Sequence, residues 1–138
     1  MDRTLILVKP DAFARNLTGE IIARFERKGL GIAALKHMRV ERVLAEEHYG
    51  EHREKPFFSG LVEFITSGPL VAMVVEGESA IQAARQVIGA TNPLEAHAGS
   101  IRGEYGIDVQ TNLVHGSDSA DSAPIGFAGT PGRGRPRG

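Results

Sequence analysis

The 138-residue chain, 41% hydrophobic and 24% charged, has the size and balance of one compact domain with a single core, and no apolar run approaches the length that crosses a bilayer. A formal net charge of -1 offers no overall attraction to nucleic acid or anionic lipid, so an anionic ligand has to be small and held by locally placed cations. The absence of cysteine excludes a disulfide framework and a thiolate metal site. It fits a reducing compartment, and with Arg3 to Pro10 reading as a strand rather than an export leader, a cytoplasmic protein is expected.

Thr4-Leu5-Ile6-Leu7-Val8 is an apolar, partly β-branched run halted by Lys9-Pro10-Asp11, the pattern of a buried strand ending in a turn. Thr18 is a candidate N-cap for a helix whose apolar residues Ile21, Ile22 and Phe25 share one face, and Lys28-Gly29 supplies a basic last turn and a glycine stop. A second strand is predicted from Ile32 to Val40, then a short polar helix from Val43 to His52 and an apolar one from Leu61 to Ile65, closed by Ser67-Gly68-Pro69. Leu70 to Val75 repeats the character of the first strand, and Glu78 to Ile88 has helical spacing. Gly89 to Gln110 lacks a strong period and reads as one long loop, of the kind that commonly carries function. Leu113-Val114 is predicted as a short last strand. The order is β-α-β, β-α-β, an α/β (α+β) chain expected to form a ferredoxin-like βαββαβ sandwich, with an antiparallel sheet and helices on one face. After Ala123 the composition turns to Gly, Pro and Arg, which builds no core. Residues 1–123 are therefore expected to be the domain and 124–138 a disordered tail. Arg133, Arg135 and Arg137 give that tail little affinity for nucleic acid at physiological salt.

Neither a Gly-x-x-x-x-Gly-Lys-Ser/Thr loop nor a Gly-x-Gly-x-x-Gly turn is present. The chemistry is concentrated instead in Asn112-Leu113-Val114-His115-Gly116-Ser117-Asp118-Ser119, where a strand delivers a histidine into a glycine turn. Neutral imidazole is a nucleophile at physiological pH and can carry a phosphoryl group, splitting one transfer into two easier ones. Gly116 would let the backbone bend clear of it. A lone histidine at a strand end is more often structural, so the neighbours have to decide. His37, His48, His52 and His97 sit in strand, polar helix and loop without a partner motif and read as structural or surface residues.

Taken together, these residues resemble the nucleoside diphosphate kinase family from Arg3 to about Ala123. The likeness rests on Thr4-Leu5-Ile6-Leu7-Val8-Lys9-Pro10-Asp11, on His48-Tyr49 with Lys55-Pro56-Phe57-Phe58, and on Ser67-Gly68-Pro69. It continues in Gly89-Ala90-Thr91-Asn92-Pro93, Ile101-Arg102-Gly103 and the segment around His115. The resemblance implies ping-pong transfer of a γ-phosphate between nucleotides through a phosphohistidine on His115, by a homo-oligomer with no membrane attachment. Lys9, Phe57, Arg85, Thr91, Arg102 and Asn112 would then surround the nucleotide, with Mg2+ arriving on its phosphates and no metal held by the protein itself. Two arginines and a lysine suit a reaction that is mostly positioning and charge stabilisation.

Phe57 corresponds to the family's base-stacking aromatic, and core packing is an equal alternative for it. Tyr49 matches a position near the phosphates, or bonds its own helix. Ser117 and Asp118 stand behind the histidine, or cap the next helix. The pattern breaks after Ser119: Gly126 stands where the family carries a glutamate that orients the catalytic imidazole, and the chain has no tryptophan. A nucleotide-binding module with reduced or lost turnover is therefore the alternative reading.

Overall fold

The computed structural model describes residues 1–48 and 58–116. In chain order the elements are β1 (Asp2–Val8), α1 (Pro10–Ala14), α2 (Thr18–Lys28), β2 (Gly31–Met38), α3 (Arg42–His48), α4 (Phe58–Ile65), β3 (Leu70–Gly77), α5 (Ala80–Ile88), a 3-10 turn (Pro93–Glu95), α6 (Ile101–Tyr105) and β4 (Val114–Gly116). The strands form one four-stranded sheet in the order β2-β3-β1-β4. Every pairing is antiparallel, with Leu5 opposite Val74 and Leu7 opposite both Ala72 and His115. This is the ferredoxin-like arrangement expected from the element order.

The helices cover both faces of the sheet rather than one. Ile6, Val8, Val71, Met73 and Val75 point to a core closed by Ile21 and Phe25 of α2 and by Ala80, Ala84 and Ile88 of α5. Their neighbours Leu5, Leu7, Leu70 and Ala72 point the other way, onto Ala45 of α3 and Val62 and Ile65 of α4. Successive strand residues alternate between faces. A strand sandwiched on both sides is therefore apolar throughout, which is why Leu5 to Val8 form an uninterrupted apolar run. Each fully buried large side chain, Phe25 and Ile6 among them, stabilises the fold by about 1.5–3 kcal/mol.

Several local expectations are corrected. Pro10-Asp11 begins a short helix instead of only a turn, with Pro10 at its first position, where the missing N–H costs nothing. Leu17, not Thr18, is the N-cap of α2, and the Thr18 hydroxyl bonds no group among the described residues. Gly29 ends α2 with φ of 104°, a conformation glycine adopts freely. The stretch read as one long loop holds the 3-10 turn and α6, started by Asn92 and Ser100, whose side chains accept from the amides of Leu94 and Gly103. Short elements like these carry no full hydrophobic period, so capping residues are their only sequence signal.

Candidate active site

Two segments far apart in sequence, one around residues 9–11 and one around residue 102, meet beside β4. The residue after β1 contributes Lys9, α1 contributes Asp11, and α6 contributes Arg102, a buried residue at 8% exposure. That guanidinium donates from Nη2 to the Val114 carbonyl at 2.6 Å, from Nη1 to the Gly89 carbonyl at 3.2 Å and from Nε to the Asn112 carbonyl at 3.3 Å. It ties the base of β4 to the end of α5. Burial lowers its pKa to about 10, and the charge of Arg85 acts in the same direction, so the two guanidiniums share one electrostatic neighbourhood. Arg85 lies on the exposed side of α5, one turn before Ile88.

Lys9 Nζ donates to Asn112 Oδ1 at 2.5 Å and lies 5.3 Å from the centre of the Phe64 ring. Desolvation is the main reason its pKa falls to about 8; Asp11 opposes that shift and Arg102 adds to it. Asn112 passes the link on, donating from Nδ2 to the Thr91 carbonyl at 3.0 Å. Two desolvated cations facing one another are unfavourable unless an anion joins them, and a phosphate would supply that anion.

The mount of the histidine is not a plain strand end. His115 is an exposed residue within β4, opposite Leu7, between the buried Val114 and Gly116. Immediately before it Leu113 has φ of 78°, and the Val114 amide donates to the Asn112 carbonyl at 2.8 Å. The result is a γ-turn of the rare, strained hand, centred on a fully buried leucine. Holding a non-glycine residue there costs on the order of 1–3 kcal/mol and persists only where the surroundings over-determine it. Those surroundings are the Lys9 amide, which donates to the Leu113 carbonyl at 2.9 Å, and Asp11 Oδ2, which accepts from the Leu113 amide at 3.1 Å. Burial pushes the Asp11 carboxyl above its usual range against the pull of Lys9. Gly116 is not in the left-handed region, and a Cβ there would stand 2.7 Å from Ile88 Cδ1, so the end of that side chain would have to shift to admit one.

Of the predicted site residues, Lys9, Arg102 and Asn112 are bonded into one network beside His115. Thr91 joins it through its backbone and Arg85 through its charge. Phe57, Tyr49, Ser117, Asp118 and Gly126 lie outside the described residues, as does His52. His37 is elsewhere, its ring 5.2 Å from that of Phe13, and His97 is exposed. Asp11 is the residue that sequence reading passed over: it stands in the quoted Lys9-Pro10-Asp11 segment, but its contact to Leu113 spans 102 positions. A separate groove of about 320 Å3, lined by Arg24, Lys28 and His97 among others, contains none of the predicted site residues. Arg24 there is already engaged by Glu20, Glu104 and the Gly99 carbonyl.

The family model described as nucleoside diphosphate kinase matches residues 2–128. The nucleoside diphosphate kinases of Carboxydothermus hydrogenoformans and Acaryochloris marina are 61% and 60% identical over 123 residues, spanning 89% of this chain and 83% of each relative. The solved structure of a halophilic nucleoside diphosphate kinase from Halobacterium salinarum in complex with CDP superposes with a TM-score of 0.84 at 52% identity. That match covers 90% of this chain and 82% of the other. With the family model spanning most of the chain and relatives at this identity, the chain belongs to the nucleoside diphosphate kinase family.

Proposed function

We propose that this enzyme transfers the γ-phosphate of a nucleoside triphosphate to a nucleoside diphosphate through a phosphohistidine on His115. The observation that carries this reading is an exposed imidazole on a short, internally braced strand, beside Lys9 and Arg102, two cations that burial strips of water. A ring nitrogen attacks the γ-phosphorus, the bond to the bridging oxygen breaks, and the first diphosphate leaves with that electron pair. A terminal oxygen of a second diphosphate then attacks the phosphorus and imidazole is the leaving group, which makes the kinetics ping-pong. Lys9, Arg85 and Arg102 stabilise charge on the phosphate oxygens. Thr91 and Asn112 hold phosphate or sugar, and Phe57 stacks the base, which tolerates any base because each has a π face. Tyr49, Ser117 and Asp118 support this set from behind.

Cations and an amide suit phosphate oxygens rather than a bare metal ion. Among the described residues no group of three or more His, Asp or Glu side chains could hold one. Mg2+ would arrive with the incoming substrate, on the nucleotide phosphates, as membership of the family suggests. The kinase unit is assigned to residues 1–123 and the Gly-, Pro- and Arg-rich segment 124–138 to a tail. Cytoplasmic nucleotides are the natural substrates, and no described helix is long and apolar enough to cross a membrane. Self-association is supported by β2, an outer strand with Leu35 51% exposed.

Incubation with γ-labelled ATP should give an acid-labile, base-stable phosphoprotein, and His115→Ala should abolish it; label persisting in the variant would refute the assignment. The substitution of glycine for the orienting glutamate at Gly126 favours one rival, a module that binds nucleotides without turnover. ATP-dependent phosphorylation of GDP, measured beside nucleotide binding, separates the two.

A further inference from the structure

Asp11 sits two residues from the phosphate-facing Lys9, yet a carboxylate has no business beside an incoming triphosphate, which it repels. Its described side-chain hydrogen bond goes instead to the amide of Leu113, the centre of the strained turn. Its carboxylate also lies against its own amide and that of Ala12 at the start of α1. Lys9 holds the carbonyl of the same residue, and Pro10 between them is buried with a fixed backbone angle, so the two holding points are rigidly spaced. Leu113 is thus gripped at both its N–H and its C=O from one short segment. Val114 and His115 follow directly, and Val114 is fully buried and bonded to Arg102. Any relaxation of Leu113 towards ordinary backbone angles would swing the strand that carries the imidazole.

Resting on the phosphohistidine reading, we propose that Asp11 is a positioning residue. Its carboxylate oxygen, by accepting from the Leu113 amide, holds the left-handed turn that aims His115 at the γ-phosphate.

The role belongs to the acceptor's place and not to its charge, and three variants separate these. Asp11→Asn keeps an oxygen in the same place without charge, Asp11→Glu keeps the charge but moves the oxygen one methylene outward, and Asp11→Ala removes both. The readouts are the single-turnover rate of phosphohistidine formation at saturating ATP, the Kd for ADP and the thermal midpoint, all on the full chain. Expected are a rate within about threefold of wild type for Asn and losses of about 10- to 100-fold for Glu and Ala, with Kd changed less than about threefold throughout. The Glu variant, which retains a full side chain and its charge, decides the matter if Ala fails to fold. Equal rates in Asn and Glu, a Glu variant faster than Asn, or rate losses matched by losses in ADP affinity and melting temperature would overturn the proposal. A wild-type chain that takes up no label would overturn the phosphohistidine reading and this one with it.

Discussion

β2 and β4 are the two outer strands of one sheet, and they are built in opposite ways. β2 runs for eight residues in which exposed and half-buried positions alternate, with a bulge between Ile32 and Ala34 that breaks its register with β3. β4 has three residues, preceded by the buried Asn112 and Leu113. Its backbone is held by Arg102, and the turn before it by Lys9 and Asp11. Length and regular pairing therefore do not measure how firmly a strand is fixed. The long strand pairs with β3 alone among the described strands, with Ile32 and Met38 packed on the cores, and its bulge interrupts an outer edge. The short strand draws on two other segments, residues 9–11 and Arg102, and it is the one that carries His115, the proposed nucleophile.

If β4 is held chiefly by the buried guanidinium, removing that group should have the largest effect. Arg102→Ala removes three charge-assisted hydrogen bonds, to the carbonyls of Asn112, Gly89 and Val114, and should destabilise the chain by about 3–5 kcal/mol in urea unfolding. A loss under about 1 kcal/mol would break the contrast. Arg102→Lys should recover only part, because a single ammonium cannot reproduce the planar fork.

Lys9 tests the opposite side of the same network. Its pKa falls from 10.5 to about 8 on folding, so the unfolded chain binds the proton more tightly, and stability rises with pH between about 8 and 10.5. Lys9→Met should remove that slope and raise stability at pH 7 by about 1–3 kcal/mol, while weakening nucleotide binding. Unfolding titrations from pH 7 to 10.5 check both the sign and the window. A variant less stable than wild type at pH 7 would mean that the bond to Asn112 outweighs the desolvation.

The smallest effect on the fold is expected on β2. Leu35→Lys changes a side chain that is 51% exposed and should shift unfolding by less than about 0.5 kcal/mol. It should nevertheless weaken self-association, read by sedimentation, because a charge on an open edge opposes strand-to-strand contact. An unchanged assembly would place the interface elsewhere.

The same contrast explains how far the sequence could be read. β1 and β3 were legible because strands buried on both faces carry unbroken apolar runs, and α2 because its apolar face and Gly29 stop obey the helical period. α1 and α6, five residues each, are too short to show a period. Helices on both faces of the sheet were hidden for a related reason: Leu5 and Ile6 are equally apolar, and nothing local says which core each enters. In the site, the resemblance supplied His115, Lys9, Arg85, Thr91, Arg102 and Asn112, while Asp11 escaped because its partner lies 102 residues away.

The sequence by itself determined the strand and helix order, the absence of a cysteine or P-loop chemistry, and the histidine around which the family is recognised. Those properties are local, written in apolar period, turn residues and side-chain type. Only the tertiary structure decided how that histidine is held. The left-handed turn at Leu113 is unfavourable for any leucine taken alone. It exists because Lys9, Asp11 and Arg102, brought from elsewhere in the chain, together bond the backbone on either side of it.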